Sequence, residues 1–358
     1  MFVASVGTAT PDRHYSQEEC WEAISASPQF SLLQRRSQTI LKRVLLGSNG
    51  VSARYLALDS LAEAFELTPD ALHGRFSLHA PRLATDAASD GLAKVGLEAQ
   101  DIDALIISTC TGYLCPGLTS YVSEALGLRP DALLLDLVGQ GCGAALPNLR
   151  TANSLIQAGQ HKRVLSVCVE VCSAALFMDD DPGVLISACL FGDGAGAAVL
   201  CDERIPSQRS VEWIDFSSRL CAEDREFLRF DHQNGMLRNI LAPEVPGKAA
   251  AHARAVLEQV LDRQKLKQDD IAQWVTHAGG REVLNSIAKE LSLPDHAFQQ
   301  SWDILDQHGN ISSPFVLFVL DRALSENSEA GWWWMNSFGA GFTSHGALLR
   351  VGKREQAS

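Results

Sequence analysis

Apolar and polar positions along the chain fall into short apolar runs separated by longer stretches of helical periodicity. The runs Phe2–Gly7, Ala104–Thr109, Ala132–Val138, Arg163–Val169 and Gly196–Cys201 predict strands in the first half. A second set, Val211–Phe216, Gln273–His277, Gly331–Asn336 and Gly346–Val351, predicts strands in the second. Between them the spacing predicts helices. Ala253, Val256, Leu257, Val260 and Leu261 share a face over Lys248–Asp262, and Ala145, Leu149, Ala152 and Ile156 recur at intervals of three and four. Alternation of strands and helices throughout implies a layered α/β architecture. The charged, proline-containing segment Asp202–Ser210 is the expected junction, dividing the chain into halves 1–205 and 206–358.

Composition narrows the class. With 358 residues, 46% hydrophobic and 20% charged, the chain can bury a large core. Gly, Pro or charge interrupts every apolar run before it reaches the length of a membrane span. The opening Met1-Phe-Val-Ala-Ser-Val-Gly-Thr8 has no basic region and reads as a strand, so the expected compartment is the cytoplasm. A net charge of −13 argues against nucleic acid or an anionic membrane as partner. Nine cysteines without a Cys-x-x-Cys pair fit neither a disulfide framework nor a zinc site, and no metal is expected.

One of those cysteines stands apart. The run Ala132–Val138 leads into a turn with Gly139, Gly141 and Gly143, and Cys142 lies between the last two, just ahead of the predicted helix. A thiol there meets free N–H groups and the positive end of the helix dipole, which favour a thiolate. Acyl transfer on a cysteine also needs a base or electrostatic partner and an oxyanion donor. His277 ends an apolar run ahead of Gly279 and Gly280. Asn310, in His308-Gly-Asn-Ile-Ser-Ser-Pro314, precedes a helix expected over Phe315–Leu324 and offers amide N–H donors. Singly each segment reads as an ordinary loop; together they point to covalent acyl chemistry.

The ordered set resembles the thiolase-like condensing enzymes and, within them, the type III polyketide synthases, the group of chalcone and stilbene synthases. The resemblance is carried by Val6-Gly-Thr-Ala-Thr-Pro11, Cys110-Thr-Gly-Tyr-Leu-Cys-Pro-Gly117, Leu190-Phe-Gly-Asp-Gly-Ala195, His277-Ala-Gly-Gly280, Gly309-Asn-Ile-Ser-Ser313 and Ser337-Phe-Gly-Ala-Gly-Phe342. It implies a thiolase-like αβαβα fold of two similar halves and a homodimer. The implied activity is iterative decarboxylative condensation of malonyl-CoA onto an acyl-CoA starter, with no metal or redox cofactor. Cyclisation would give a pyrone, resorcinol or phloroglucinol-type product. By resemblance Cys142 would carry the acyl chain, His277 would pair with its thiolate, and Asn310 would complete the oxyanion hole.

The resemblance also assigns positions around this centre. Phe191 would separate a coenzyme A tunnel from the cavity. Cys110, Cys172 and Ala175 would line that cavity, and Gly279, Gly280, Ser312 and Gly339 are further substrate-binding positions. Cys115 would cross to the partner in the dimer. Lys42, Arg43 and Arg54 are the expected coenzyme A contacts. Two departures stand out: Ala340 replaces a frequent proline, and Asn239 stands where many plant enzymes carry a second gatekeeping phenylalanine. With Ala175, Asn239 points toward a fatty-acyl starter. The alternative is a single condensation of the ketoacyl-ACP synthase III kind. Those enzymes share the triad, but their histidine is typically followed by Gln-Ala-Asn.

Overall fold

The computed structural model describes residues 1–206 and 209–353. Residues 207 and 208, inside the expected junction, and residues 354–358 lie outside the described residues.

Five strands form the first group, with neighbours in the order Phe2–Ala9, Gly194–Cys201, Arg163–Glu170, Ala104–Thr109 and Leu133–Val138. Gly194–Cys201 runs antiparallel to both of its neighbours, and the remaining pairs are parallel. The second group repeats this winding with one strand fewer: Val211–Leu220, Thr343–Val351, Gly331–Gly339, Ile271–Thr276. Again the last strand in sequence lies antiparallel between the first strand and the rest. A single pairing, Phe2 with Glu212, joins the groups into one sheet.

Helices complete the layers. Pro69–Val95 covers the outer face of the first group. Thr68 caps its start by accepting from the Ala71 N–H, and Gly96 ends it in a left-handed conformation at φ 65°. Its buried stripe of Leu72, Phe76, Ala80, Leu83, Ala84, Ala87 and Ala88 is rich in alanine, which lets the helix lie close to the strands. Val245–Gln264 covers the second group. Between the groups lie Ala145–Gln157 and Phe315–Ser325, which touch strands of both. Phe315–Ser325 has no polar face over its first six residues, Phe315-Val-Leu-Phe-Val-Leu320, all of which are buried. A helix apolar all round belongs in the middle of a sandwich.

The predicted strands and the three predicted helices are all present, most of them longer than their apolar runs. A two-stranded ribbon, Leu228–Gln233 with Met236–Leu241, was not expected. No helix among the described residues is long and apolar enough to cross a membrane. The carboxyl ends of the parallel strands converge on one region, and the chemistry of the chain collects there.

Candidate active site

Cys142 and His277 sit just beyond strands, and Asn310 just beyond the helix Gln299–His308. Cys142 follows Leu133–Val138 on a tight turn, Gly141–Gly143, ahead of the helix Ala145–Gln157. Gly141 takes φ 56°, and a Cβ there would meet the backbone of Ala340, so only glycine fits. Gly339 is pressed against Gln140 O and the Gly143 backbone in the same way. This close packing fixes the Cys142 turn against the segment that ends Gly331–Gly339.

The structure links Cys142 to Asn310 through Ser312. The Ser312 hydroxyl donates to Cys142 Sγ at 3.2 Å, and the Ser312 N–H donates to Asn310 Oδ1 at 2.9 Å. That second bond orients the amide, whose Nδ2 donates one hydrogen to Gly279 O at 3.2 Å. The other hydrogen remains available to an oxyanion. His277 lies nearby between Phe315 and Phe338, with ring centroids 5.2 and 5.0 Å away. Phe338 in turn adjoins Gly143.

His277 is 1% exposed, and neither ring nitrogen has a hydrogen-bond partner. Burial lowers its pKa to about 3. The Cys142 thiol is pushed up to about 12, chiefly by burial, with the Ser312 hydrogen bond opposing. The expectation that helix-start placement favours a thiolate is therefore corrected. A short turn separates Cys142 from the helix, and loss of solvent outweighs the dipole. Both groups rest neutral, and a charged pair forms only if the proton leaves sulfur for imidazole, so that the opposite charges appear together. An imidazole with two orphaned nitrogens is costly to bury and keeps both of them free for a chemical partner.

A cavity partly open to solvent adjoins Cys142. Cys110, Cys172, Ala175, Phe191, Asn239, Ser312 and Ala340 line it. Asn239 is fixed by a hydrogen bond to Ser187 Oγ. His277 and Asn310 stand behind the wall, with Asn310 bridged to Phe191. Gly279, Gly280 and Gly339 are not on the wall: Gly279 packs on Phe338, Gly280 begins the helix Arg281–Glu290, and Gly339 packs on the nucleophile turn. Their expected substrate contacts become supporting ones.

Lys42 and Arg43 are exposed on the helix Arg35–Leu45, whose Leu45 reaches the cavity. Arg54 departs from expectation. It is 6% exposed, and its Nη1 donates to the carbonyls of Ala188 and Phe191 at 2.8 and 2.9 Å. A guanidinium so engaged holds the end of the helix Pro182–Leu190 and the Phe191 backbone, not a phosphate. Arg54→Ala is expected to lose about 2–4 kcal/mol by urea denaturation, since it strands two buried carbonyls. An unchanged midpoint would remove this clamp. Cys115 is exposed on the loop after Ala104–Thr109.

Sequence reasoning missed Glu170. It ends the strand Arg163–Glu170 fully buried and accepts from Thr111 Oγ1, the Cys110 N–H and Ser313 Oγ at 2.9, 3.0 and 2.6 Å. Cys110 Sγ and Ser312 Oγ also lie within 3.3 and 3.4 Å of it. Burial raises its pKa against these donors. A lone carboxylate closing an apolar strand was the available signal.

Two family models account for most of the chain: chalcone and stilbene synthases, N-terminal domain, over residues 2–203, and the C-terminal domain over residues 231–352. The chain belongs to the chalcone and stilbene synthase family. It is a type III polyketide synthase, a condensing acyltransferase with the thiolase-like fold. Relatives include 1,3,6,8-tetrahydroxynaphthalene synthase of Streptomyces peucetius subsp. caesius, 30% identical over 97% of this chain and 92% of that one. The alpha-pyrone synthesis polyketide synthase-like Pks18 of Mycobacterium tuberculosis is 29% identical over 98% and 91%. Among solved structures, the C-terminal type III polyketide synthase domain of Steely1 from Dictyostelium superposes with a TM-score of 0.88 at 26% identity, covering 98% of this chain and 99% of that one.

Proposed function

We propose that this polyketide synthase loads a fatty-acyl starter from coenzyme A onto Cys142, extends it repeatedly with malonyl-CoA, and releases an alkylpyrone or alkylresorcinol. The observation that carries the starter is the cavity wall. Besides the Cys142 end, it is built by Cys20, Ile24, Leu45, Leu61 and Phe65 from three N-terminal elements, together with Met178. An apolar wall of this extent suits a long alkyl chain, whose burial contributes about 0.8 kcal/mol per methylene. The relative Pks18 carries alpha-pyrone synthesis in its name, which agrees with a pyrone product.

Each group is assigned a chemical role within this reading. The Cys142 proton moves to His277 as sulfur attacks the starter thioester, and coenzyme A leaves. Malonyl thioester then loses carbon dioxide, and negative charge builds on its carbonyl oxygen. The free Asn310 N–H and His277 are the donors assigned to that charge, and fixed donors are worth most where water is excluded. The enolate carbon attacks the Cys142 thioester, and the thiolate leaves.

Lys42 and Arg43 are assigned to the coenzyme A phosphates, and the compartment to the cytoplasm. A homodimer fits the sheet edge: Leu133–Val138 is an end strand, and Leu134, Val138, Tyr113 and Tyr121 are exposed apolar groups nearby in sequence. The Cys115 loop lies among them.

Incubation with malonyl-CoA and acyl-CoAs of increasing length, read by product mass, tests the reading. Long saturated starters extended by two or more acetate units are expected. Aromatic starters used in preference would remove the fatty-acyl assignment, and a single extension dependent on carrier protein would favour the ketoacyl-ACP synthase III alternative. Sedimentation as a 38.8 kDa monomer would remove the dimer.

A further inference from the structure

A second set of reactive side chains lies outside the condensing centre. Cys221 follows the strand Val211–Leu220, Asp224 sits on the short turn Ala222–Phe227, and Lys248 and His252 lie one turn apart on Val245–Gln264. Cys221 Sγ is 3.5 Å from His252 Nδ1, and His252 Nε2 is 3.2 Å from Asp224 Oδ2. Lys248 Nζ pairs with Asp224 Oδ1 at 2.9 Å. Cys221 is 3% exposed and His252 and Asp224 are buried, whereas the Lys248 side chain reaches solvent.

The two imidazole contacts fall on opposite edges of the ring. The groups therefore form a chain of thiol, imidazole and carboxylate, with one atom of each within 4.8 Å of the others. Lys248 and His252 hold the Asp224 carboxyl below its usual range, so it is an anion near neutral pH. An anionic Asp224 accepts from Nε2–H and leaves Nδ1 as the acceptor facing the thiol. This is the arrangement of nucleophile, base and orienting group that activates a thiol. Cys142 has no such hydrogen-bonded imidazole.

We propose that Cys221 is a modification site, a thiol activated by His252 and Asp224 that is oxidised by small peroxides. At 3% exposure the thiol is closed to acyl thioesters and bulky disulfides, which leaves a compact neutral oxidant. His252 takes the thiol proton, and the thiolate attacks one peroxide oxygen. The O–O bond breaks with its electron pair on the departing oxygen, and the imidazolium proton converts that oxygen to water. Sulfur is oxidised by two electrons to sulfenic acid, and the peroxide is reduced by two. The Cys221 N–H donates to Phe342 O at 2.9 Å, and the His252 ring lies 5.5 Å from the Phe342 ring. An oxygen added to the sulfur thus presses on the segment whose Ala340 lines the condensing cavity.

The test exposes the reduced full-length enzyme to one equivalent of hydrogen peroxide, then unfolds it in urea containing dimedone and maps adducts over all nine cysteines by peptide mass. Cys221 is expected to label ahead of every cysteine other than Cys142. H252Q is expected to slow Cys221 labelling about tenfold, and D224N to slow it less, with Cys142 labelling as the internal control. An unlabelled Cys221, or equal labelling in wild type and both variants, would overturn the proposal. So would a thiolate-to-cobalt absorption band on Co(II) addition that C221S abolishes, since that outcome assigns the cluster to a metal. None of these readouts depends on the starter or product.

Discussion

Cys142→Ala is expected to end acyl loading outright, whereas Asn310→Ala is expected to spare loading and stop at decarboxylation. Five thiols line the cavity, Cys20, Cys110, Cys142, Cys172 and Cys189, yet only one is poised to carry the chain. Cys110 lies 3.3 Å from the Glu170 carboxylate, which holds its proton in place and opposes a thiolate. Cys172 is likewise pushed well up by burial. Cys142 receives the shorter contact from the Ser312 hydroxyl, 3.2 Å against 3.7 Å for Cys110, which favours charge on its sulfur. Intact mass after incubation with a starter acyl-CoA should therefore show the acyl adduct in wild type and in Asn310→Ala, and none in Cys142→Ala. Release of labelled carbon dioxide from malonyl-CoA should fall by about 10²–10³-fold in Asn310→Ala, the cost of losing one oxyanion donor. An acyl adduct in Cys142→Ala would move the nucleophile to another thiol. Equal carbon dioxide release from wild type and Asn310→Ala would remove the oxyanion role.

What the sequence disclosed about this centre was local, and what it concealed was tertiary. Cys142, His277 and Asn310 stand beside glycines at the ends of predicted elements, a pattern visible without coordinates. Arg54 is also local, but only the folded chain shows its guanidinium bound between Ala188 and Phe191, which turns an expected phosphate contact into an internal clamp. The protonation states were hidden for the same reason: a helix start favours a thiolate, and burial, which no motif encodes, reverses the balance. The ribbon Leu228–Gln233 with Met236–Leu241 did leave a signal. Asn234 and Gly235, at φ 53° and 77°, form a two-residue turn, and an Asn-Gly pair between extended runs is a strong hairpin mark. That ribbon matters to function because it brings Leu228, Phe230 and Asn239 to the cavity. Glu170 was legible only as an oddity, since its donors come from two segments distant in sequence, Thr109–Thr111 and Ser312–Ser313.

Acid is expected to weaken the fold well before its paired carboxylates titrate, through histidines that are buried neutral. Burial lowers the pKa of His277 to about 3, and burial with the nearby Arg150 lowers that of His345 to about 4. In the unfolded chain both return to about 6.5. Between those values the unfolded state binds a proton that the native state refuses, so stability falls as pH falls. The loss begins as pH drops through about 6.5 and ends only when the native imidazoles protonate. At pH 5 each histidine costs about 2 kcal/mol relative to pH 7. Glu170 and Asp193 act in the opposite sense, because burial raises their native pKa values and they favour the folded state as pH falls toward the unfolded carboxyl range. Variants separate the two effects. Urea midpoints at pH 7 and pH 5 should show wild type losing about 4 kcal/mol more than a His277→Gln, His345→Gln double variant, with each single variant between them. Identical losses in all four proteins would mean that these imidazoles are solvated or already paired. That result would also undo the catalytic argument, since His277 can take the Cys142 proton only if it rests neutral.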